Sequence, residues 1–285
     1  MALTRLLDDD ERMHIRCNMV NKYRQGGSVS MRNSIAFVLL NLAVSGALAQ
    51  EANAPKPVNN GTDPSKLQTV AEAKYEYLDL QNGFSSGALR LSYTTPLDEA
   101  QSYALRVRVP VTYVDVLGDD GYDIGDASLE ISHVFGLTKQ HAFVAKGELI
   151  FDTAARPELG TGQNVFKGTL IYAKFLQGGN IFAPALVQSN SLWGDGNRPD
   201  VNTTTIDFYY VPKLANPKNL ITYDPALNFD WENEKQFASL AVTFGRVLGP
   251  QLGGNGILFA KPSMYAGSDR PGSWGLEVGY KVIGF

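Results

Sequence analysis

Charged side chains recur at every second position of three neighbouring segments, and the chemistry that this spacing favours is ion pairing. Arg106 and Arg108 alternate with the apolar residues of segment 103–113. Alternate residues of a β-strand share one face, and cross-strand neighbours lie ~5 Å apart. We therefore predict a charge ladder on one face of three strands, and its members are Arg106, Arg108, Asp126, Glu130, Lys146, Glu148 and Asp152.

Two interpretations of this ladder stay open. In the first, the arginines face carboxylates across a pore and create a transverse field that orients or selects solutes. In the second, the charges neutralise one another and fill a polar interior, which a barrel of this size needs whether or not anything passes through it.

Acid–base or nucleophilic catalysis has little support in the residue pattern. After residue 49 the chain holds two histidines, His133 and His141. Ser132 precedes His133, but adjacent strand residues point to opposite faces, so they cannot form a hydrogen-bonded nucleophile–base pair. No His-Glu-x-x-His motif occurs. We predict that the protein is not an enzyme, with a lipid hydrolase as the least favoured alternative.

Metal, cofactor and nucleic-acid binding are also disfavoured. The single cysteine, Cys17, precedes the export signal described below. An EF-hand loop starting in segment 194–202 would have Pro199 at its fifth ligand position and Ile206 at its twelfth, where glutamate is required. The net charge of -4 offers no basic face for a phosphate backbone. We expect no metal, no cofactor and no nucleic-acid partner.

The elements that carry the ladder have the period-two alternation of strands, separated by Gly, Asn, Asp and Pro. In segment 103–113 the apolar face begins and ends with tyrosine, as in a membrane strand with interfacial aromatic residues. A soluble β-sandwich or lipocalin-like barrel is the alternative, but twelve strands in a single sheet do not suit the small shared core of such a domain. We predict an all-β, antiparallel, up-and-down transmembrane β-barrel of about twelve strands, at residues 74–80, 89–93, 103–113, 126–132, 143–152, 166–175, 181–187, 203–211, 220–224, 237–246, 257–265 and 274–282.

The N-terminal region has the features of an export signal. Met31-Arg32-Asn33 precedes an apolar run from residue 35 to 48, and small residues follow it. We predict an over-extended N-terminus (1–30), a signal peptide (31–49) cleaved near Ala49, a flexible lead-in (50–70) and the barrel (71–285). The expected location is the outer membrane of a Gram-negative bacterium, among its lipids and lipopolysaccharide. The terminal strand ending in Phe285 resembles the signal that barrel-assembly machinery recognises.

Two short motifs resemble the outer-membrane barrels of the meta-pathway of phenol degradation family. Residues 106–111, Arg-Val-Arg-Val-Pro-Val, are similar to its basic-apolar strand, and residues 124–129, Ile-Gly-Asp-Ala-Ser-Leu, to its Gly-Asp step. The acidic loop 119–123 departs from that pattern. The resemblance implies a transporter of small organic molecules.

The function that these features favour is a channel for passive passage of small organic solutes, hydrophobic or aromatic ones among them. The alternative is a closed structural or adhesive barrel. Residues 50–70 or an inward-folded loop are expected to gate the pore, with 193–202 and 223–234 as the loop candidates. Tyr223, Phe229 and Trp231 are candidate solute contacts, with the interfacial aromatic belt as their alternative role.

Overall fold

The computed structural model describes residues 60–80, 83–115 and 121–285. The predicted N-terminal extension, the signal peptide and the first part of the lead-in lie outside these ranges. Within them, no helix is both long and apolar enough to cross a membrane.

Strands make up 67% of the described chain. Each of the twelve predicted segments overlaps one long strand, and a two-residue strand, β4, is added. The strands are β1 (Val70–Leu80), β2 (Ser85–Pro96), β3 (Tyr103–Val114), β4 (Asp123–Ile124), β5 (Ser128–Phe135), β6 (His141–Ile150), β7 (Gln163–Phe175), β8 (Ile181–Gly194), β9 (Asn202–Val211), β10 (Asn219–Asp230), β11 (Lys235–Gln251), β12 (Gly254–Ala266) and β13 (Gly272–Ile283).

The twelve long strands close into one antiparallel barrel. Each pairs with its neighbours in sequence, and β1 pairs with both β2 and β13, which closes the sheet. The short β4 pairs only with the end of β3. Closure leaves no free sheet edge, as a bilayer requires of a spanning sheet. The predicted fold class, a twelve-stranded transmembrane β-barrel, is confirmed.

The distribution of polarity is the reverse of that in a water-soluble domain. Val107 and Leu170, on the outer face, are 45% and 49% exposed, whereas Glu148 and Glu130 are buried inside. A barrel with lipid outside and a polar lumen places its residues in this way. The alternation of β3, β5 and β6 therefore gave the correct face for each strand.

Aromatic residues collect near both ends of the outer face. At one end Tyr103 stacks on His133 with ring centroids 4.1 Å apart, and the series continues through Phe135 and Phe143. At the other end Tyr77 lies 5.2 Å from Trp274. These positions match the interfacial girdles of membrane barrels.

The two ends differ in the length of their connections. One end carries the turns at 97–102, 136–140, 176–180, 212–218 and 252–253. The opposite end carries the two longest connections, from β3 to β5 and the β6–β7 loop (151–162), beside shorter ones at 195–201, 231–234 and 267–271. Short turns are typical of the periplasmic end and longer loops of the external end.

Proline does not end β10, although the sequence pattern placed the boundary at Asp224. Pro225 pairs with Leu240 of β11, and the strand continues to Asp230. The ladder towards β9 has no partners at positions 224 and 225. Proline has no N–H to donate, so Pro225 interrupts the hydrogen bonds to β9 and leaves the pairing with β11 intact.

Candidate functional site

The centre of the charge ladder is the buried carboxylate of Glu148. Arg108 Nη1 donates to Glu148 Oε1 at 2.6 Å, and the Ser128 hydroxyl donates to the same oxygen at 2.6 Å. Lys167 of β7 pairs with Oε2. Glu148 is 1% exposed, so these groups take the place of the water that it would otherwise bind.

A second carboxylate continues the ladder on the neighbouring strand. Glu130 Oε1 lies 3.5 Å from Arg106 Nη1 and 3.7 Å from Lys146 Nζ, and it accepts a hydrogen bond from the Ser132 hydroxyl at 3.1 Å. Five of the seven predicted residues thus meet in the lumen. Lys167 is absent from the predicted ladder, although its alternation with Phe166 and Gly168 places it with the lumen series.

Asp126 and Asp152 lie away from this network, because β5 begins at Ser128 and β6 ends at Ile150. Asp152 is exposed in the β6–β7 loop. Asp126 instead holds that loop: its carboxylate accepts hydrogen bonds from the backbone N–H groups of Thr153 (3.2 Å), Ala154 (3.1 Å) and Thr161 (2.8 Å).

The β6–β7 loop folds towards the lumen. Its 3-10 turn, Pro157–Leu159, buries the Leu159 side chain against the upper end of β3. From the other side, Arg198 donates to the carbonyl of Gly160 at 2.8 Å. The inward loop is therefore 151–162, and not segment 193–202 or 223–234. Segment 223–234 is mostly strand β10.

Two cavities lie in the lumen, one above the other. The upper cavity has a volume of about 540 Å³, with Leu159 in its wall. The lower cavity has a volume of about 200 Å³, with Gly61 and Thr62 in its wall. Three residues belong to both linings, Asp224, Lys261 and Glu277, and they mark the neck between the cavities.

A second ion-pair network surrounds this neck. Lys261 Nζ lies 2.7 Å from Asp224 Oδ2, and Lys74 Nζ lies 2.8 Å from both Glu277 and Glu76. Arg90 pairs with Glu76 at 2.5 Å. The sequence interpretation missed this network, although Lys74 and Glu76 alternate with Tyr75 and Tyr77 in the pattern that revealed the first ladder.

The ladder around Glu148 and Glu130 lies on a different wall of the barrel. Its residues come from β3, β5, β6 and β7, and none of them lines either cavity. The cavity walls are instead built from β1–β3 and β9–β13, with Leu159 as the contribution of the β6–β7 loop. The ladder thus occupies one side of the lumen. This placement favours the interpretation in which the charges fill a polar interior over the one in which they face a solute.

Residues 60–69, the described part of the lead-in before β1, cross the lumen at the short-turn end. Leu67 packs on an apolar cluster inside the barrel, formed by Val134, Ala142, Val144, Ala173 and Ala183. The Tyr209 hydroxyl donates to the carbonyl of Thr62 at 3.3 Å. This inner segment covers the floor of the lower cavity.

Tyr223, Phe229 and Trp231 lie on the outer face of the barrel, opposite in parity to Asp224. Phe229 stacks on Trp231 with ring centroids 5.6 Å apart, and the Trp231 indole donates to the Thr204 hydroxyl at 2.8 Å. A solute in the lumen would not meet these rings. Their placement is that of the interfacial belt, the alternative role given above.

Ser132 and His133 do not form a nucleophile–base pair. The Ser132 hydroxyl faces the lumen and donates to Glu130, whereas His133 is on the outer face against Tyr103. Within the described residues no group of three or more His, Cys, Asp or Glu side chains has the arrangement of a metal site.

Two loop carboxylates outside the spanning strands have shifted acidities. Hydrogen bonds from the Ser102 hydroxyl and the Tyr103 N–H lower the pKa of Asp98. Hydrogen bonds from the backbone and the amide of Asn197 lower the pKa of Asp195. Both stabilise turns, and neither faces a cavity.

Comparison with known proteins finds likeness at the level of structure only. No protein-family model matches the chain, and no curated protein matches it. An outer membrane channel from Pseudomonas putida F1 superposes with a TM-score of 0.59 at 10% identity, covering 80% of this chain and 100% of the channel. The NanC porin superposes with a TM-score of 0.55 at 8% identity, covering 76% and 100%.

At these identities the likeness shows a shared barrel fold and nothing finer. These two structural neighbours are a channel and a porin, and the resemblance to the meta-pathway family remains a prediction.

Proposed function

We propose that this chain is an outer-membrane channel for passive passage of small organic solutes. The observation that supports it best is the stacked pair of cavities, which share Asp224, Lys261 and Glu277 and so describe one route along the barrel axis. A barrel with a purely structural role needs no such continuity.

The outer surface supports the membrane location. Leu170, Ile131 and Val107 are exposed large apolar residues in mid-strand, and aromatic rings flank them towards both ends. Such a surface is favourable only against lipid. The outer membrane is where barrels of this fold are expected to reside.

The size and lining of the upper cavity support the solute class. A volume of about 540 Å³ is within the range of pockets that hold small organic molecules. Leu78, Ala88 and Leu159 make one side apolar, while Asn228, Ser239 and Ser263 offer hydrogen bonds. This combination suits a solute with both a ring or alkyl part and polar groups.

Each end of the route has a cover, and we infer that the two covers act as gates. Leu159 bounds the upper cavity and the inner segment bounds the lower one. These same contacts favour the second candidate, a closed structural or adhesive barrel. The two candidates differ in whether loosening one cover makes the lumen permeable.

Liposome swelling separates the two candidates. Leu67→Asp puts a charge against the apolar cluster and should displace the inner segment, since an unpaired charge is costly to bury. We expect arabinose entry through the wild-type protein and faster entry with Leu67→Asp. The matched Lys66→Asp should not change the rate, because the Lys66 side chain is exposed and loses only a 3.7 Å surface ion pair with Asp63. A folded barrel that stays impermeable in all three forms would contradict the channel and favour the structural barrel.

Solute class is tested with two glycosides of similar size. Phenyl glucoside carries an aromatic ring, whereas cellobiose carries a second sugar in its place. If the apolar side of the cavity selects solutes, phenyl glucoside enters the liposomes faster. Equal rates would contradict an aromatic preference while leaving the channel itself supported.

A further inference from the structure

The outer face of the barrel carries a cluster of polar side chains among its apolar residues. Gln188 and Asn190 of β8 pair in register with Thr204 and Asn202 of β9, and all four side chains lie on the outer face. These four residues, the amide cluster, adjoin the connection 195–201 at the end with the longer loops. Polar groups that face lipid have no water to bind, so each of them needs another partner.

The members of the amide cluster bond to one another. Gln188 Nε2 donates to Asn190 Oδ1 and to Asn202 Oδ1, both at 3.1 Å, and Asn190 Nδ2 donates to Asn202 Oδ1 at 3.2 Å. The Thr204 hydroxyl donates to Gln188 Oε1 at 2.5 Å and accepts from the Trp231 indole. All three amide oxygens therefore already accept hydrogen bonds inside the cluster.

The N–H groups that remain favour an occupant rich in acceptors. A side-chain amide carries two N–H donors. Gln188 uses both of them, whereas in the described part of the chain Asn190 uses one and Asn202 uses neither. A second copy of this chain across a two-fold axis would bring the same donors against these donors. An oxygen-rich ligand complements the cluster better than a second copy does.

The depth of the amide cluster in the membrane indicates the kind of ligand. Directly below it, on the side of the short turns, Leu170 and Leu186 are register partners and both are exposed on the outer face. Above it, Leu192 and Trp193 are exposed as well. The amides therefore lie at the boundary between acyl chains and headgroups, and the carbonyl groups of a lipid lie at this depth.

We propose that the amide cluster binds the lipid A part of lipopolysaccharide. The N–H groups of Asn190 and Asn202 donate to the carbonyl and hydroxyl oxygens at the sugar end of its acyl chains, and the chains lie over Leu170 and Leu186. The end with the longer loops is the external one, and lipid A belongs to the external leaflet. Its hydroxylated acyl chains, joined through ester and amide groups, present more acceptors at this depth than a phospholipid does.

The same geometry assigns little of the binding to the phosphates of lipid A. The amide cluster has no charged member, and the adjoining connection carries Asp195 and Asp200. The uncharged oxygens of lipid A therefore make the contact. The site lies outside the lumen, so it does not depend on whether the barrel conducts.

The test is the affinity of the full protein for lipid A in detergent micelles, measured by native mass spectrometry. The double variant Asn190→Leu/Asn202→Leu should weaken this affinity by about tenfold or more, because up to three hydrogen bonds are lost. Gln236→Leu removes a single exposed amide from the outer face of β11, where it pairs with Phe229. This matched control should leave the affinity unchanged, and heat-modifiable migration checks that each variant is folded.

A second measurement uses only the wild-type protein, so it does not depend on the folding of a variant. Lipid A without its phosphates should bind as tightly as intact lipid A, and high salt should not weaken the binding, because uncharged oxygens make the contact. Phosphatidylglycerol should bind about tenfold more weakly, since it offers fewer acceptors at this depth.

Three results would overturn the proposal. The first is an unchanged affinity in Asn190→Leu/Asn202→Leu, and the second is equal binding of phosphatidylglycerol and lipid A. The third concerns a second copy of the chain, which Asn202→Cys tests, because the sequence has no cysteine after residue 49. Disulfide-linked dimers that form equally fast with and without lipid A would assign the amide cluster to a contact between copies.

Discussion

Removing the charge of Glu148 should destabilise the barrel without changing its route. Glu148 is the shared partner of Arg108 and Lys167, and it also accepts a hydrogen bond from Ser128. In Glu148→Gln the amide oxygen can still accept from Ser128. Two cations would then face each other without a counter-charge.

The size of the effect follows from the burial of the three groups. Breaking a fully buried ion pair by removing one partner costs roughly 3–5 kcal/mol. The side chains of Arg108 and Lys167 are 22% and 30% exposed, so water in the lumen compensates part of the loss. We expect a decrease of about 2–3 kcal/mol in the free energy of unfolding, once this screening is included.

Reversible urea unfolding in lipid vesicles, followed by tryptophan fluorescence, measures this change. Adding Lys167→Met to Glu148→Gln removes one of the unpaired cations and should recover about half of the loss. Asp152→Asn, an exposed carboxylate of the β6–β7 loop, is the control and should change stability by less than about 0.5 kcal/mol. A loss below about 0.5 kcal/mol in Glu148→Gln would refute the inference that this carboxylate organises the filled wall.

Three further predictions address the loop, the lipid face and the C-terminal strand. Asp126→Ala removes the acceptor of three loop N–H groups. A loss of roughly 2 kcal/mol should accelerate amide exchange in residues 151–162 about thirtyfold. Equal exchange rates in Asp126→Ala and Asp152→Ala would count against this anchoring role. Leu170→Arg should lower the free energy of unfolding in vesicles by about 2–4 kcal/mol, whereas Leu137→Arg, in a short turn, should hardly change it. Similar losses at both sites would argue against a lipid-facing Leu170. Phe285→Ala should slow the appearance of heat-modifiable barrel in cells, if the terminal residue guides assembly, and an unchanged rate would remove that role.

The strands were predictable from sequence because lipid and lumen impose opposite requirements on adjacent residues. In β3, Arg106 and Arg108 alternate with Val107 and Val109, and no other regular structure gives that period. Twelve such segments were enough to identify the barrel and to place five ladder residues on its inner face.

The route through the lumen was not predictable, because it depends on contacts that only closure creates. Lys74 and Glu277 are 203 positions apart and meet where β1 pairs with β13. The inward direction of Leu159 depends on Asp126 and Arg198, which hold its loop from two sides. No local pattern encodes either arrangement.

The position of Asp126 shows why alternation fails at strand ends. The pattern continues from Ser128 back to Asp126 in the sequence, but the backbone leaves the sheet at Ala127, and the carboxylate turns to the β6–β7 loop. Tyr223 shows the same limit for function. Its aromatic character fitted both a solute contact and the interfacial belt, and only the parity set by β9–β11 pairing places it outside.

The central claim is that the two cavities form one route through the barrel, and single-channel recording of the refolded protein tests it most directly. We predict discrete conducting steps whose amplitude rises when Leu67→Asp displaces the inner segment and stays unchanged in Lys66→Asp. The account would be contradicted if heat-modifiable, fully inserted barrels carried no current in either the wild-type protein or Leu67→Asp.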